Sequence, residues 1–115
     1  MKIYVATKWE ERERAREVMF QLVQAGHSIT HDWTVEDQES GEATVRDING
    51  VTSADAFVAL LEKDLPYTGT LMEFGAALGT NKPCFIVGQA PITRYMFFKH
   101  PLVKWGIEEL LCQQI

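Results

Sequence analysis

Apolar residues recur along this chain with two spacings that alternate. The run Ile3-Tyr4-Val5-Ala6 is continuously apolar, which predicts a buried strand over residues 2–7. Ala15, Val18, Met19, Leu22 and Val23 then fall at helical intervals and define one helix face. Thr7 and Glu10 stand ahead of it in capping-box register. The Glu/Arg-rich stretch 10–17 reads as the solvated start of that helix, and Gly26 as its stop. Residues 28–33 read as a second strand and 36–42 as a polar loop. Val45, Ile48 and Val51 have the spacing of a short helix over 43–52 that turns them to the core. Residues 55–61 are almost all apolar, as in a parallel strand covered on both faces. A loop over 62–70, with Pro66 and Gly69, precedes a helix over 71–79. A strand over 83–87, stopped by Gly88, follows. Residues 91–100 are irregular or a short helix, 102–105 a fifth strand, and 107–112 a closing helix.

Strands and helices in that order predict one domain with a three-layer α/β fold and a mainly parallel five-stranded sheet. Ligands of such sheets bind beyond the carboxyl ends of the strands. Attention therefore falls on the loops 7–9, 33–42, 62–70 and 88–100.

Composition narrows the picture. Apolar residues form 46% of the 115, enough for one core. A net charge of -5 argues against binding a nucleic-acid polymer, while a small anion needs only a few local donors. No run approaches the roughly 18 apolar residues of a membrane span. The first apolar run is too short for a secretory leader, so a cytoplasmic location is expected. Cys84 and Cys112 match no metal or redox spacing and read as free thiols. His27, His31 and His100 show no metal-ligand pattern.

Two acids stand out against this background. Glu73 lies in Gly69-Thr70-Leu71-Met72-Glu73-Phe74-Gly75-Ala76-Ala77-Leu78-Gly79. Thr70 and Glu73 fit a capping box, so Glu73 either satisfies a helix terminus or points from the first turn into a site. In that turn the helix dipole favours an ionised carboxylate, a competent nucleophile at a sugar carbon. Gly75, Ala76, Ala77 and Gly79 give the helix a thin face for close packing on the sheet. Asp55 precedes an apolar run; it either opens its strand or caps the helix before it, or it is partly buried with a raised pKa. A protonated acid near an ionised one is the arrangement that cleaves glycosidic bonds. Tyr4 is either core or a hydroxyl that orients the nucleophile. Trp9 and Trp33 are core edges or stacking walls for a flat heterocycle, with Asp32 beside Trp33. Lys8, Thr68 and Thr70 are candidates to contact a phosphate.

These residues form a recognisable set. Lys2-Ile3-Tyr4-Val5-Ala6, Gly26-His27-x-Ile29-x-x-Asp32-Trp33-Thr34, Ala54-Asp55-Ala56-Phe57-Val58-Ala59-Leu60 and Gly69-Thr70-x-x-Glu73-Phe74-Gly75-Ala76-Ala77-Leu78-Gly79-x-x-Lys82-Pro83 resemble the nucleoside 2-deoxyribosyltransferase superfamily. That superfamily includes 2'-deoxynucleoside 5'-phosphate N-hydrolases. The likeness spans residues 2 to about 88, and the Gly-Thr-x-x-Glu block is its most specific part.

The resemblance implies a flavodoxin- or Rossmann-like fold and cleavage of an N-glycosidic bond without a cofactor. By position, Glu73 resembles the nucleophile that forms a glycosyl-enzyme intermediate. Asp55 resembles the acid that protonates the leaving base, and Tyr4 the hydroxyl that orients Glu73. Thr7, Lys8, Trp9, Asp32, Trp33, Thr68, Gly69 and Thr70 are the expected substrate contacts. A homodimer with a shared site is also implied, the partner segment falling in 88–98 around Met96, Phe97 and Phe98. Thr7-Lys8-Trp9 departs from the small-residue phosphate loop of the nucleotide hydrolases, and Tyr67-Thr68-Gly69-Thr70 lacks their serine. Two other readings keep the same fold: a non-catalytic nucleotide-binding or sensing domain, and an interaction domain in which Glu73 is only a cap.

Overall fold

The computed structural model describes residues 1–36 and 39–112. Five strands, β1 (Lys2–Ala6), β2 (Ser28–Ile29), β3 (Ala56–Leu60), β4 (Cys84–Val87) and β5 (Val103–Trp105), form one parallel sheet in the order β2-β1-β3-β4-β5. Four helices, α1 (Arg12–Gln24), α2 (Gly41–Ser53), α3 (Thr68–Gly79) and α4 (Glu108–Leu111), cover it. α1 packs with α4 on one face, and α2 with α3 on the other. This is the doubly wound flavodoxin-like order, as the alternation of periods predicts.

The central strands explain why the sheet is parallel. Every residue of β3 is buried, as are the last four of β1. Such strands have two apolar faces and need a helical layer on each. Register pairs Tyr4 with Phe57, which places both rings on the face under α2 and α3. Phe57 stacks on Phe74 of α3, and Phe74 on Phe98 at 4.6 Å. That aromatic file joins the sheet to the segment after β4.

Several element ends differ from the pattern. The helix after β1 begins at Arg12, behind a 3-10 turn Trp9–Glu11 that no side chain caps. Thr7 does not cap it, because its hydroxyl donates to the Leu60 carbonyl at 2.8 Å and ties β1 to β3. β2 stops at Ile29, and Trp33 sits in a 3-10 turn, Trp33–Val35, capped by Asp32. α2 starts two residues early because Ser40 caps it, accepting from the Ala43 N–H at 3.1 Å. Ala43, Gly50 and Val51 are its buried positions, whereas Val45 is exposed. α3 begins at Thr68 rather than Leu71. The expected thin face is only partly used: Ala77 is buried, but a side chain on Gly75 or Gly79 would meet nothing within 4 Å. Residues 91–100 form two 3-10 turns, Pro91–Arg94 and Met96–Lys99. In the expected loop 36–42, residues 37 and 38 lie outside the described residues.

Among the described residues no helix is long and apolar enough to cross a membrane.

Candidate active site

A cleft of about 420 Å³ opens at the carboxyl end of β1, the end where parallel sheets hold ligands. Its lining comes from four elements. β1 and the turn after it supply Tyr4, Thr7, Lys8 and Trp9; the segment after β2 supplies Trp33. α2 supplies Thr44, Asp47 and Ile48, and the start of α3 supplies residues 66–70, Met72 and Glu73.

The Tyr4 hydroxyl donates to Glu73 Oε2 at 2.7 Å, joining the first strand to the third helix. Because α3 starts three residues earlier than the pattern predicts, Glu73 falls in its second turn, and its partner is a tyrosine rather than a helix terminus. Burial pushes the Glu73 carboxyl up to about 7, against the Tyr4 hydrogen bond, which favours the anion. The nearby Asp47 charge adds to the rise. The expectation of a first-turn carboxylate held ionised by the helix dipole is therefore corrected: Glu73 lies beyond the first turn, where the dipole acts, and burial raises its pKa. Burial, then the adjacent Glu73, raises the Tyr4 phenol above its ordinary value. Tyr4 thus remains a hydrogen-bond donor across the neutral range.

Asp55 does not join this pair. It precedes β3 at the amino end of the sheet, is exposed, and accepts from the Lys2 N–H at 2.7 Å. It stands one residue ahead of β3, outside the buried run. The second carboxyl in the cleft is Asp47, whose pKa burial raises, with His31 and Arg46 opposing. Its side chain lies 3.5 Å from His31 Nε2, which is also 3.4 Å from Glu36. Glu36 is in turn held by Arg46 at 2.8 Å. Asp47 carried a readable signal: it sits four residues after Ala43 and four before Val51, inside the buried stripe of an amphipathic helix. A charge in that stripe has no packing reason.

Among the expected contacts, Thr7, Lys8, Trp9, Trp33, Thr68, Gly69 and Thr70 line the cleft. Trp33 is a buried wall whose indole N–H donates to the Val5 carbonyl at 2.6 Å. Trp9 is 40% exposed, lies 6.3 Å from Trp33, and carries the Arg12 guanidinium 4.6 Å above its ring. Asp32 is not in the cleft; it accepts from the Thr34 N–H at 2.9 Å and faces a separate depression with Arg16. No side chain caps α3 at Tyr67; the Thr68 N–H donates to the Pro66 carbonyl at 2.8 Å, which leaves the N–H groups of Gly69 and Thr70 to face a ligand. Thr70 Oγ1 is buried there with no hydrogen-bond partner. Lys8 Nζ stands 3.4 Å from the Pro66 carbonyl beside that terminus. Tyr67, which the sequence reading did not single out, is buried and accepts from the Lys63 N–H at 3.1 Å, fixing the loop before α3.

Two solved structures have this fold. The CMP N-glycosidase BcmB of Clostridium botulinum superposes with a TM-score of 0.67 at 19% identity, over 96% of this chain and 95% of its own. A 2-deoxyribosyltransferase from Bacillus psychrosaccharolyticus superposes with a TM-score of 0.65 at 21% identity, over 79% of this chain and 74% of its own. No curated protein matches the sequence. The model of one family, nucleoside 2-deoxyribosyltransferase, matches residues 3–102. That match takes in β1, the cleft and the aromatic file behind it, and the chain belongs to the nucleoside 2-deoxyribosyltransferase family.

Proposed function

We propose that this enzyme cleaves the N-glycosidic bond of a nucleoside or nucleoside 5'-monophosphate through a covalent intermediate on Glu73. The observation that carries the reading is the 2.7 Å bond from Tyr4 to Glu73 on the wall of the cleft. It leaves one carboxylate oxygen held and the other free to attack. A Glu73 oxygen bonds to C1' as the C1'–N bond breaks and its electron pair leaves with the base. Asp47, rather than Asp55, gives the base its proton, because Asp47 is the other carboxyl that lines the cleft. Water then attacks C1', passes its proton to Asp47, and frees Glu73. An incoming base in place of that water makes the same step a transfer.

Trp9 and Trp33 offer flat apolar walls to the heterocycle. The uncapped start of α3, with Thr68, Gly69, Thr70 and the Lys8 ammonium, suits the sugar's 5'-oxygen or a phosphate on it. Buried Thr70 Oγ1 gains its missing partner there.

The active form is a homodimer. Met72 lines the cleft yet is 69% exposed, so that wall is open, and Tyr95, Met96 and Phe97 are likewise exposed. They belong to the segment that Phe98 seats on Phe74 of α3.

Incubation with ribo- and deoxynucleosides and their 5'-monophosphates, with and without added free base, tests the reading by chromatography. Free base from a monophosphate identifies a hydrolase with a phosphate subsite; new nucleoside only with acceptor identifies a transferase. No release from any substrate overturns the reading.

A further inference from the structure

Gly50 lies in α2, three residues after Asp47 and on the same side of the helix. Glycine is the poorest helix former after proline, and this one follows no turn or positive φ. Its surroundings account for it. A Cβ at Gly50 would stand 2.8 Å from Tyr4 Cδ1, 2.9 Å from Tyr4 Cε1 and 3.0 Å from His31 Cβ, closer than side chains pack. The α2 backbone therefore rests directly on the tyrosine ring. Phe57 stacks beside the ring at 6.1 Å with the planes 7° apart. The helix is pinned in this seat as well: Thr30 Oγ1 donates to the Gly50 carbonyl at 2.7 Å.

We propose that Gly50 is a positioning residue of the site, its missing side chain letting α2 seat on the Tyr4 ring and hold the tyrosyl hydroxyl on the Glu73 carboxylate. This rests on the glycosidase reading for its catalytic consequence, but the seat itself does not. Tyr4 and Asp47 are the titratable groups that act on Glu73, so a shifted ring changes both the orientation and the titration of the carboxylate.

The test is Gly50→Ala in the full chain, read by carboxyl carbon NMR of Glu73 and by kinetics on the best substrate of the panel. The expected result is a Glu73 titration midpoint moved upward, as in Tyr4→Phe, because the bond that favours the anion is lost. We expect kcat to fall by up to about 10²-fold, the scale of small misplacements, with KM little changed. In a Tyr4→Phe background the same substitution should add little further loss. An unchanged midpoint with unchanged kcat overturns the proposal, and so does a full additional loss on top of Tyr4→Phe. Should Gly50→Ala fail to fold, it is combined with Tyr4→Ala, which removes the colliding ring. A pair that melts with Tyr4→Ala alone supports the seat; a pair that still unfolds overturns it. A wild-type chain that releases no base sinks the glycosidase reading, and the NMR comparison still decides the seat.

Discussion

A carboxyl buried at about 7 makes Glu73 both a reagent and a liability. Its folded pKa lies above the ordinary 4.5, so between those values the folded chain binds the proton that the unfolded chain releases. Stability is then highest below pH 4.5 on this account, falls as pH rises toward 7, and stays lower above it. The loss is on the order of 2–3 kcal/mol. Glu73→Gln should remove it: melting temperatures of variant and wild type should converge near pH 5 and separate by several degrees near pH 8, with the variant higher. The same substitution should lower turnover by at least about 10³-fold. On the proposed mechanism catalysis runs the other way with pH, because Glu73 must be ionised to attack. The acid limb of kcat/KM should rise through about 7. Tyr4→Phe should move that limb to higher pH, and a limb left in place would remove Tyr4 from the mechanism. The two aspartates separate just as cleanly. Asp47→Asn should slow base release most for poor leaving bases, whereas Asp55→Ala should keep wild-type kinetics and lose only an exposed bond worth about 1 kcal/mol.

At the scale of elements, short apolar runs and helical stripes made the sheet, its parallel sense and its helices legible, because burial on two faces leaves a direct mark on composition. The residues alone left Tyr4 between core and orienting hydroxyl and Glu73 between cap and site; the resemblance paired them, and the fold brings them within a hydrogen bond. Element ends were less legible. The Thr70–Glu73 spacing imitates a cap, and only the tertiary position of Tyr4 decides against it. The sequence left Asp55 open between a strand start, a cap and a partly buried acid; just ahead of β3, one position separates core from solvent. Asp47 and Gly50 were readable in principle, as a charge and a glycine in the buried stripe of α2, but their use depends on which strand lies beneath. The helix α3 offers a check on packing: Gly75→Ala, with open space around its Cβ, should stabilise the chain by about 0.5–1 kcal/mol in chemical denaturation. A loss would mean that the surface is occupied.

For the whole molecule, the exposed Tyr95, Met96 and Phe97 set the expectation. On the proposed homodimer, Phe97→Glu should give monomers in light scattering and lower kcat/KM, while leaving the Glu73 titration in place. A monomeric wild type with full activity would remove the partner from the site. The bond from Tyr4 to Glu73 spans 69 residues of sequence, and it has a temporal meaning too. Neither the amino-terminal half nor any single supersecondary unit contains both ends of it. On the proposed mechanism, a refolding chain therefore regains base release no earlier than the moment at which the first strand and the third helix find each other.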